Sequence, residues 1–196
     1  MLPEQIIFLS VPVILVAYFY YFKNIFYGET RPNLVSWFLW MLPPFIGVFF
    51  ELKAGAGLSV LPVFFAGFGP FLVVVVSLFK KNSIWQITTF DIICGVFSIL
   101  ALVLYIITHN LGISIIFAIL SDALAFIPTY VKTWKFPETE TLTVYCASIV
   151  NNILALFIIK NWIFSIYSFN VYLIVANLVF VTILYRKKIF RTDVTA

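Results

Sequence analysis

Charge is the first scarcity. Only 10% of the 196 residues are Asp, Glu, Lys or Arg, and there is a single histidine. A soluble domain of ordinary composition carries about 25% charged residues, because most of a small domain's residues stay within reach of water. With 63% of the chain apolar and a mean hydropathy of +1.11, a soluble globular domain and a disordered chain are excluded. So is a nucleic-acid module, since the net charge of +4 comes from scattered loop lysines and arginines. Cysteine is equally sparse. Cys94 and Cys146 both fall in apolar runs, which excludes a secreted disulfide framework and reads as two buried thiols. There is no His-Glu-x-x-His, no Cys/His cluster for a metal and no glycine-rich phosphate loop. His109 lies in a short loop, away from any nucleophile at depth. No enzyme, metal or cofactor is expected.

What the chain has is long apolar runs. Seven stand out, at about 6–22, 33–50, 58–79, 87–107, 111–131, 141–159 and 162–185. Each is too long for a strand, and a membrane-spanning helix needs roughly 20 residues. Polar residues punctuate every junction, and the first run lacks a basic flank and a small-residue cleavage site, so it reads as a retained helix. The expectation is an all-α integral membrane protein with seven transmembrane helices. Seven spans place Lys23, Arg31, Lys80, Lys81, Lys132, Lys135, Arg186, Lys187, Lys188 and Arg191 on one side, against Lys53 and Lys160 on the other. The positive-inside rule then sets the N-terminus outside and the C-terminus in the cytoplasm. Short loops without appended domains point to a prokaryotic inner membrane.

The chain also repeats itself. A shift of 109 residues places Tyr21, Lys23, Glu29, Thr30 and Val35 on Tyr130, Lys132, Glu138, Thr139 and Val144, five identities over positions 21–35. A shift of 107 places Lys80-Lys81 on Lys187-Lys188. Seven spans allow helices five to seven to repeat the first three in the same orientation, with helix four returning the chain. The plan is two parallel three-helix bundles joined by a linker helix: 1–86, 87–110 and 111–196. Parallel repeats of this kind recur among transporters.

The stretch Ile127-Pro128-Thr129-Tyr130-Val131-Lys132-Thr133-Trp134, followed by Glu138-Thr139-Glu140-Thr141-Leu142-Thr143, resembles the signature of the PQ-loop superfamily, which includes the SWEET sugar transporters. Pro128 sits on that family's proline, Thr129 replaces its glutamine, and Phe19 and Tyr20 stand at the corresponding places of the first repeat. The resemblance implies a seven-helix fold of 3+1+3 helices. It also strengthens Asn177, because an asparagine on a repeat's third helix lines the SWEET pocket; helix six offers Tyr145 where a tryptophan is usual. Members of the superfamily differ in substrate, and some are receptors, so fold alone selects no activity.

Four residues are the candidate solute-binding groups. Asp122 lies near the middle of the fifth run, where a carboxylate costs on the order of 2.5–3.5 kcal/mol. No Lys or Arg lies inside any run to pair with it, and withdrawal from water favours the neutral acid, which suits reversible protonation. Asn151, Asn152 and Asn177 fall at similar depth and offer amides to a polar solute. The plain alternative for all four is hydrogen-bonded packing between helices, worth about 0.6 kcal/mol a bond. Pro12, Pro43, Pro44, Pro62, Pro70 and Pro128 each lie in a run, and Pro128 reads as an inner hinge. Asp91 reads as a partner for Lys80 or Lys81. Trp37, Trp40, Trp85 and Trp162 read as interfacial belt residues, and Gly67 and Gly69, with Ala66, as places of close helix contact.

These readings combine into a transporter of a small polar solute, such as a sugar, amino acid, nucleoside or vitamin, working by alternating access through a midplane pocket. Proton linkage through Asp122 is an added expectation. The alternative is a non-transporting receptor or membrane assembly protein on the same fold. The expected partners are the solute and the bilayer; nothing specifies or excludes a homo-oligomer.

Overall fold

A computed structural model describes residues 8–53, 61–80, 85–108, 111–159 and 162–189. Lys81, His109, Lys160 and Arg191 lie outside them, as do the side chains of Lys53, Pro62, Lys187 and Lys188. Seven α-helices and no strand occur among the described residues: α1 (Ser10–Tyr27), α2 (Leu34–Lys53), α3 (Leu61–Phe79), α4 (Thr89–Ile107), α5 (Leu111–Lys135), α6 (Thr143–Ile158) and α7 (Phe164–Ile189). One helix answers each apolar run.

The ends follow local chemistry rather than the edge of hydrophobicity. α1 continues past its apolar run until Gly28, whose φ of 78° is the left-handed conformation that closes a helix most cheaply at glycine. α5 likewise runs on through Lys132 to Lys135 and yields to a 3₁₀ turn at Pro137–Thr139. Thr88 caps α4 reciprocally: its hydroxyl accepts from the Asp91 backbone N–H, and the Asp91 carboxylate accepts the Thr88 backbone N–H at 2.6 Å. That cap, with Asn33 donating to Asp91 at 3.0 Å, takes the place of the expected pairing with Lys80; Lys81, the other expected partner, lies outside the described residues. The carboxylate is consumed by a cap and an amide. Pro12 and Pro62 lie in first turns, where a missing N–H costs no helical bond; Pro43, Pro44, Pro70 and Pro128 are interior.

Packing pairs the helices in a regular way. α3 packs against α1 and α2, and α7 packs against α5 and α6. Two further contacts, α1 with α6 and α2 with α5, join these groups. Exchanging α1 with α5, α2 with α6 and α3 with α7 turns every one of these contacts into another in the set. α4 stands outside the exchange, against α5 and α2. It is held to α5 by reciprocal bonds, Ser98 Oγ donating to the Ser121 carbonyl at 2.7 Å and Ser121 Oγ to the Ser98 carbonyl at 2.9 Å. Glycine permits one close approach: a Cβ at Gly69 would run into the Tyr18 ring, so α3 comes this near to α1 there because the residue has none.

The distribution of polarity is inverted relative to a water-soluble protein. Thr30, Asn33, Ser36, Ser77, Ser98, Ser121, Thr129 and Thr133 are buried, while Ile92, Ile93, Val96, Phe97, Leu100 and Val103 of α4 stand exposed. Three helical stretches are long and apolar enough to cross a membrane, Thr89–Ile107, Ile115–Lys135 and Ile166–Arg186; Val11–Tyr27, Leu34–Phe45, Phe64–Phe79 and Thr143–Ile158 are shorter apolar helices.

Candidate functional site

The candidate residues divide into two groups on different flanks of α7. Asp122, on α5 and nearly buried, accepts a hydrogen bond from the Tyr172 hydroxyl of α7 at 2.8 Å. Asn177, also on α7, donates to Ser148 Oγ of α6 at 3.2 Å and to the Leu173 carbonyl at 2.7 Å. Asn152 donates to the same serine, to its carbonyl at 2.8 Å and its hydroxyl at 3.3 Å. Five residues along a helix turn a side chain by about 140°, so Tyr172 faces α5 while Asn177 faces α6. Asn151, one residue from Asn152 and half-buried, joins neither group. Depth in the sequence does not gather these side chains; helix phase separates them.

Pro128 is fully buried inside a continuous α5. Beside it, Thr129 Oγ1 donates to Ser36 Oγ of α2 at 2.8 Å, and Ser36 donates onward to the Ala125 carbonyl at 2.6 Å. Thr129, standing where the resemblance calls for glutamine, thus ties α5 to α2. The exchanged pair of helices is also joined by a bond, though not between the corresponding residues: Thr143 of α6 donates to the Ala17 carbonyl of α1 at 3.0 Å.

Between α1, α2, α5, α6 and α7 lies a core of aromatic rings. Tyr21 and Trp37 are 5.1 Å apart, Trp37 and Trp40 5.2 Å, Trp40 and Phe126 4.5 Å, and Tyr145 stacks on Phe180 at 3.6 Å. Trp37 and Tyr145 are each 3% exposed. This corrects the belt reading of Trp37 and Trp40: one helical turn apart, they share the face of α2 that turns inward. Among the described residues the Trp37 and Trp40 indole N–H groups and the Tyr145 hydroxyl are buried and close no hydrogen bond of ordinary geometry. The Tyr21 hydroxyl stands beside Trp37 and Tyr145 as the polar group nearest to both. Trp85 rests on Phe136 at 5.3 Å, and Trp162 is exposed.

Above this core the α1–α2 and α5–α6 connections are fastened to each other. The Arg31 backbone N–H donates to the Thr139 carbonyl at 2.9 Å, Thr30 and Thr141 share a hydroxyl bond of 2.5 Å, and Asn24 donates to Thr141 at 2.8 Å. At the centre the Lys132 ammonium meets Glu140 Oε1 at 2.5 Å, with side-chain exposures of 1% and 0%. Lys132 also donates to the Arg31 carbonyl and, at 3.4 Å, to the Thr139 carbonyl; Tyr21 donates to Glu140 Oε2 at 3.2 Å. Sequence reasoning missed this buried pair because Lys132 follows the end of an apolar run and reads as solvated. Tyr172 and Ser148 were missed too; the serine one turn before Asn152 was the available signal.

A groove of about 270 Å³ runs along α7, lined by Val175, Leu178, Val179, Thr182 and Ile183. None of the candidate residues lines it. Among the described residues no group of three or more His, Cys, Asp or Glu is placed to hold a metal ion. No family model, curated protein or solved structure matches this chain.

Proposed function

We propose that this chain is an integral membrane protein of seven spanning helices, carrying a small polar solute by alternating access between two parallel three-helix bundles. The observation that carries the reading is the exchange of contacts: α1–α3 and α5–α7 pack as equivalent triplets that meet along α1–α6 and α2–α5. Two like halves in contact along a seam are the arrangement in which one half can rock against the other. The resemblance to the PQ-loop and SWEET proteins is part of this proposal. The inverted polarity supports the membrane, since apolar helix faces of this extent are costly in water, and the lysine and arginine asymmetry supports a cytoplasmic C-terminus in a prokaryotic inner membrane.

The seam supplies groups suited to a solute. Among the described residues the Trp40 N–H has no partner, and the Trp37 N–H and Tyr145 hydroxyl have only the Tyr21 hydroxyl beside them; buried donors of this kind are stabilised by an acceptor. The amides of Asn152 and Asn177 meet at Ser148, on the flank of the second bundle. Asn151 stands next to them. Asp122, bonded to a hydroxyl rather than to a cation, is the group for proton exchange, and Pro128 is the hinge of α5.

The test is thermal unfolding of detergent-purified protein against sugars, amino acids and nucleosides at two pH values. A ligand at 100 times its Kd adds about 2.7 kcal/mol of stability. A hit weakened by Asn177→Ala supports the pocket, and a pH response lost in Asp122→Asn supports proton linkage. Stabilisation by no solute class would move the reading to the receptor or assembly alternative.

A further inference from the structure

The two halves of the chain match in contacts but not at their fastened connections. The shift of 109 that sets Lys23 on Lys132 sets Arg31 on Glu140. In the first half Lys23 is exposed, against the Tyr27 ring at 5.9 Å, and Arg31 is exposed as well. Only the second half carries a buried ion pair among the described residues. A helix–connection–helix junction of this design therefore forms without one, and the pair's role lies in what it joins. Each of its two charges reaches across to the first half: Lys132 to the Arg31 carbonyl, Glu140 to the Tyr21 hydroxyl. Directly beneath it, Thr143 bonds Ala17, and Tyr145 and Trp37 close the aromatic core.

We propose that Lys132–Glu140 is a latch that holds this end of the seam shut, and that its release lets the α1–α6 contact part so that water reaches the aromatic core. The latch rests on the reading that the two halves move against each other. A pair buried between two bodies suits this work: it is stable only while its carbonyl and hydroxyl partners from the other half stay in place, so it makes closure all-or-none rather than gradual.

Ala147 provides the reporter. It lies one turn beyond Thr143 on the same face of α6 and is buried in the seam. The experiment uses the full chain with Cys146→Ser and Ala147→Cys, keeping Cys94, which is buried on α4 against α2 and α5 and away from the α1–α6 contact. Labelling of each cysteine by a polar maleimide is followed by mass spectrometry. With the latch intact, position 147 is expected to label slowly. With Lys132→Met/Glu140→Gln, which leaves no unpaired buried charge, it is expected to label at least tenfold faster while Cys94 stays slow. Adding Thr30→Cys/Thr141→Cys and oxidising that pair, whose hydroxyls touch in the native chain, is expected to restore slow labelling. An unchanged rate at 147, a parallel rise at Cys94, or no protection by the disulfide would each overturn the latch. The labelling needs no solute, so it decides on the latch whatever a solute screen returns.

Discussion

Removing Glu140 alone should be among the most damaging single changes in this protein. In the native chain the Lys132 ammonium has three acceptors: Glu140 Oε1, the Arg31 carbonyl and the Thr139 carbonyl. Glu140→Gln takes away the only charge among them and strands a cation whose side chain is 1% exposed. Breaking one side of a buried pair costs about 3–5 kcal/mol, a fall in Tm of roughly 6–20 °C at about 2–4 °C per kcal/mol for a chain of this length. Lys132→Met should cost as much, leaving the carboxylate with the Tyr21 hydroxyl alone. The double variant should cost less than either. What it leaves unpaired is the Arg31 carbonyl, since the Thr139 carbonyl keeps the Arg31 N–H at 2.9 Å; that acceptor is only part-buried, so its loss stays at or below the about 1–3 kcal/mol of a buried one. Thermal unfolding of the wild type, the two single variants and the double variant in one detergent forms the cycle. Additive losses, or a Glu140→Gln variant melting with the wild type, would mean that water reaches the pair and that its burial has no energetic consequence.

Three further outcomes follow from the packing. Gly69→Ala should lower stability by about 1–3 kcal/mol through overpacking against Tyr18, and Tyr18→Leu should relieve most of that loss; a Gly69→Ala protein that melts unchanged refutes the close approach. Ser98→Ala removes one donor of the α4–α5 pair and should cost about 0.6 kcal/mol, at most about 1.7, with Ser121→Ala adding a similar loss, because its hydroxyl still donates to the carbonyl of residue 98 once the Ser98 hydroxyl is gone. Ser148→Ala should uncouple Asn152 from Asn177 and weaken any solute response that depends on Asn177, while a pH response carried by Asp122 persists, because Asp122 bonds Tyr172 and not Ser148.

The seven helices were legible because each is an unbroken apolar run, and a run of that length leaves the backbone little choice but to bond with itself. Their ends were not, because the chain stops a helix by Gly28 or Pro137 and not where hydrophobicity stops. Side-chain direction was the least legible feature. Asp122 and Asn177 share a depth, yet α7 turns Tyr172 toward one and Asn177 away from it. Trp37 and Trp40 lie near the start of α2, where depth alone says interface; their spacing of three put them on one face, and only the position of α1 and α6 shows that the face is inward.

Lys132 joins these lessons. A lysine after an apolar run is ordinarily a solvated end, and its repeat counterpart Lys23 behaves that way. Among the differences is the residue eight positions on, glutamate in one half and arginine in the other. With glutamate there, the α5–α6 connection can fold over Lys132 and present both charges to the first half; with arginine, like charges would face each other and the connection must leave Lys23 to solvent. Of the positions at which the two junctions diverge, this is the one that sets the sign of the charge facing the lysine, and it separates a passive turn from the centre of the contact between the halves. Arg31→Glu, which gives the first junction the second's pattern, is the converse test. It should draw Lys23 toward the introduced carboxylate without burying it, because Lys23 is exposed over Tyr27 and, among the described residues, holds no bond to the second half as Lys132 holds the Arg31 carbonyl. A protection of Lys23 from amine-reactive acetylation equal to that of Lys132 would refute the argument that the partner half, and not the local pair, makes the burial possible.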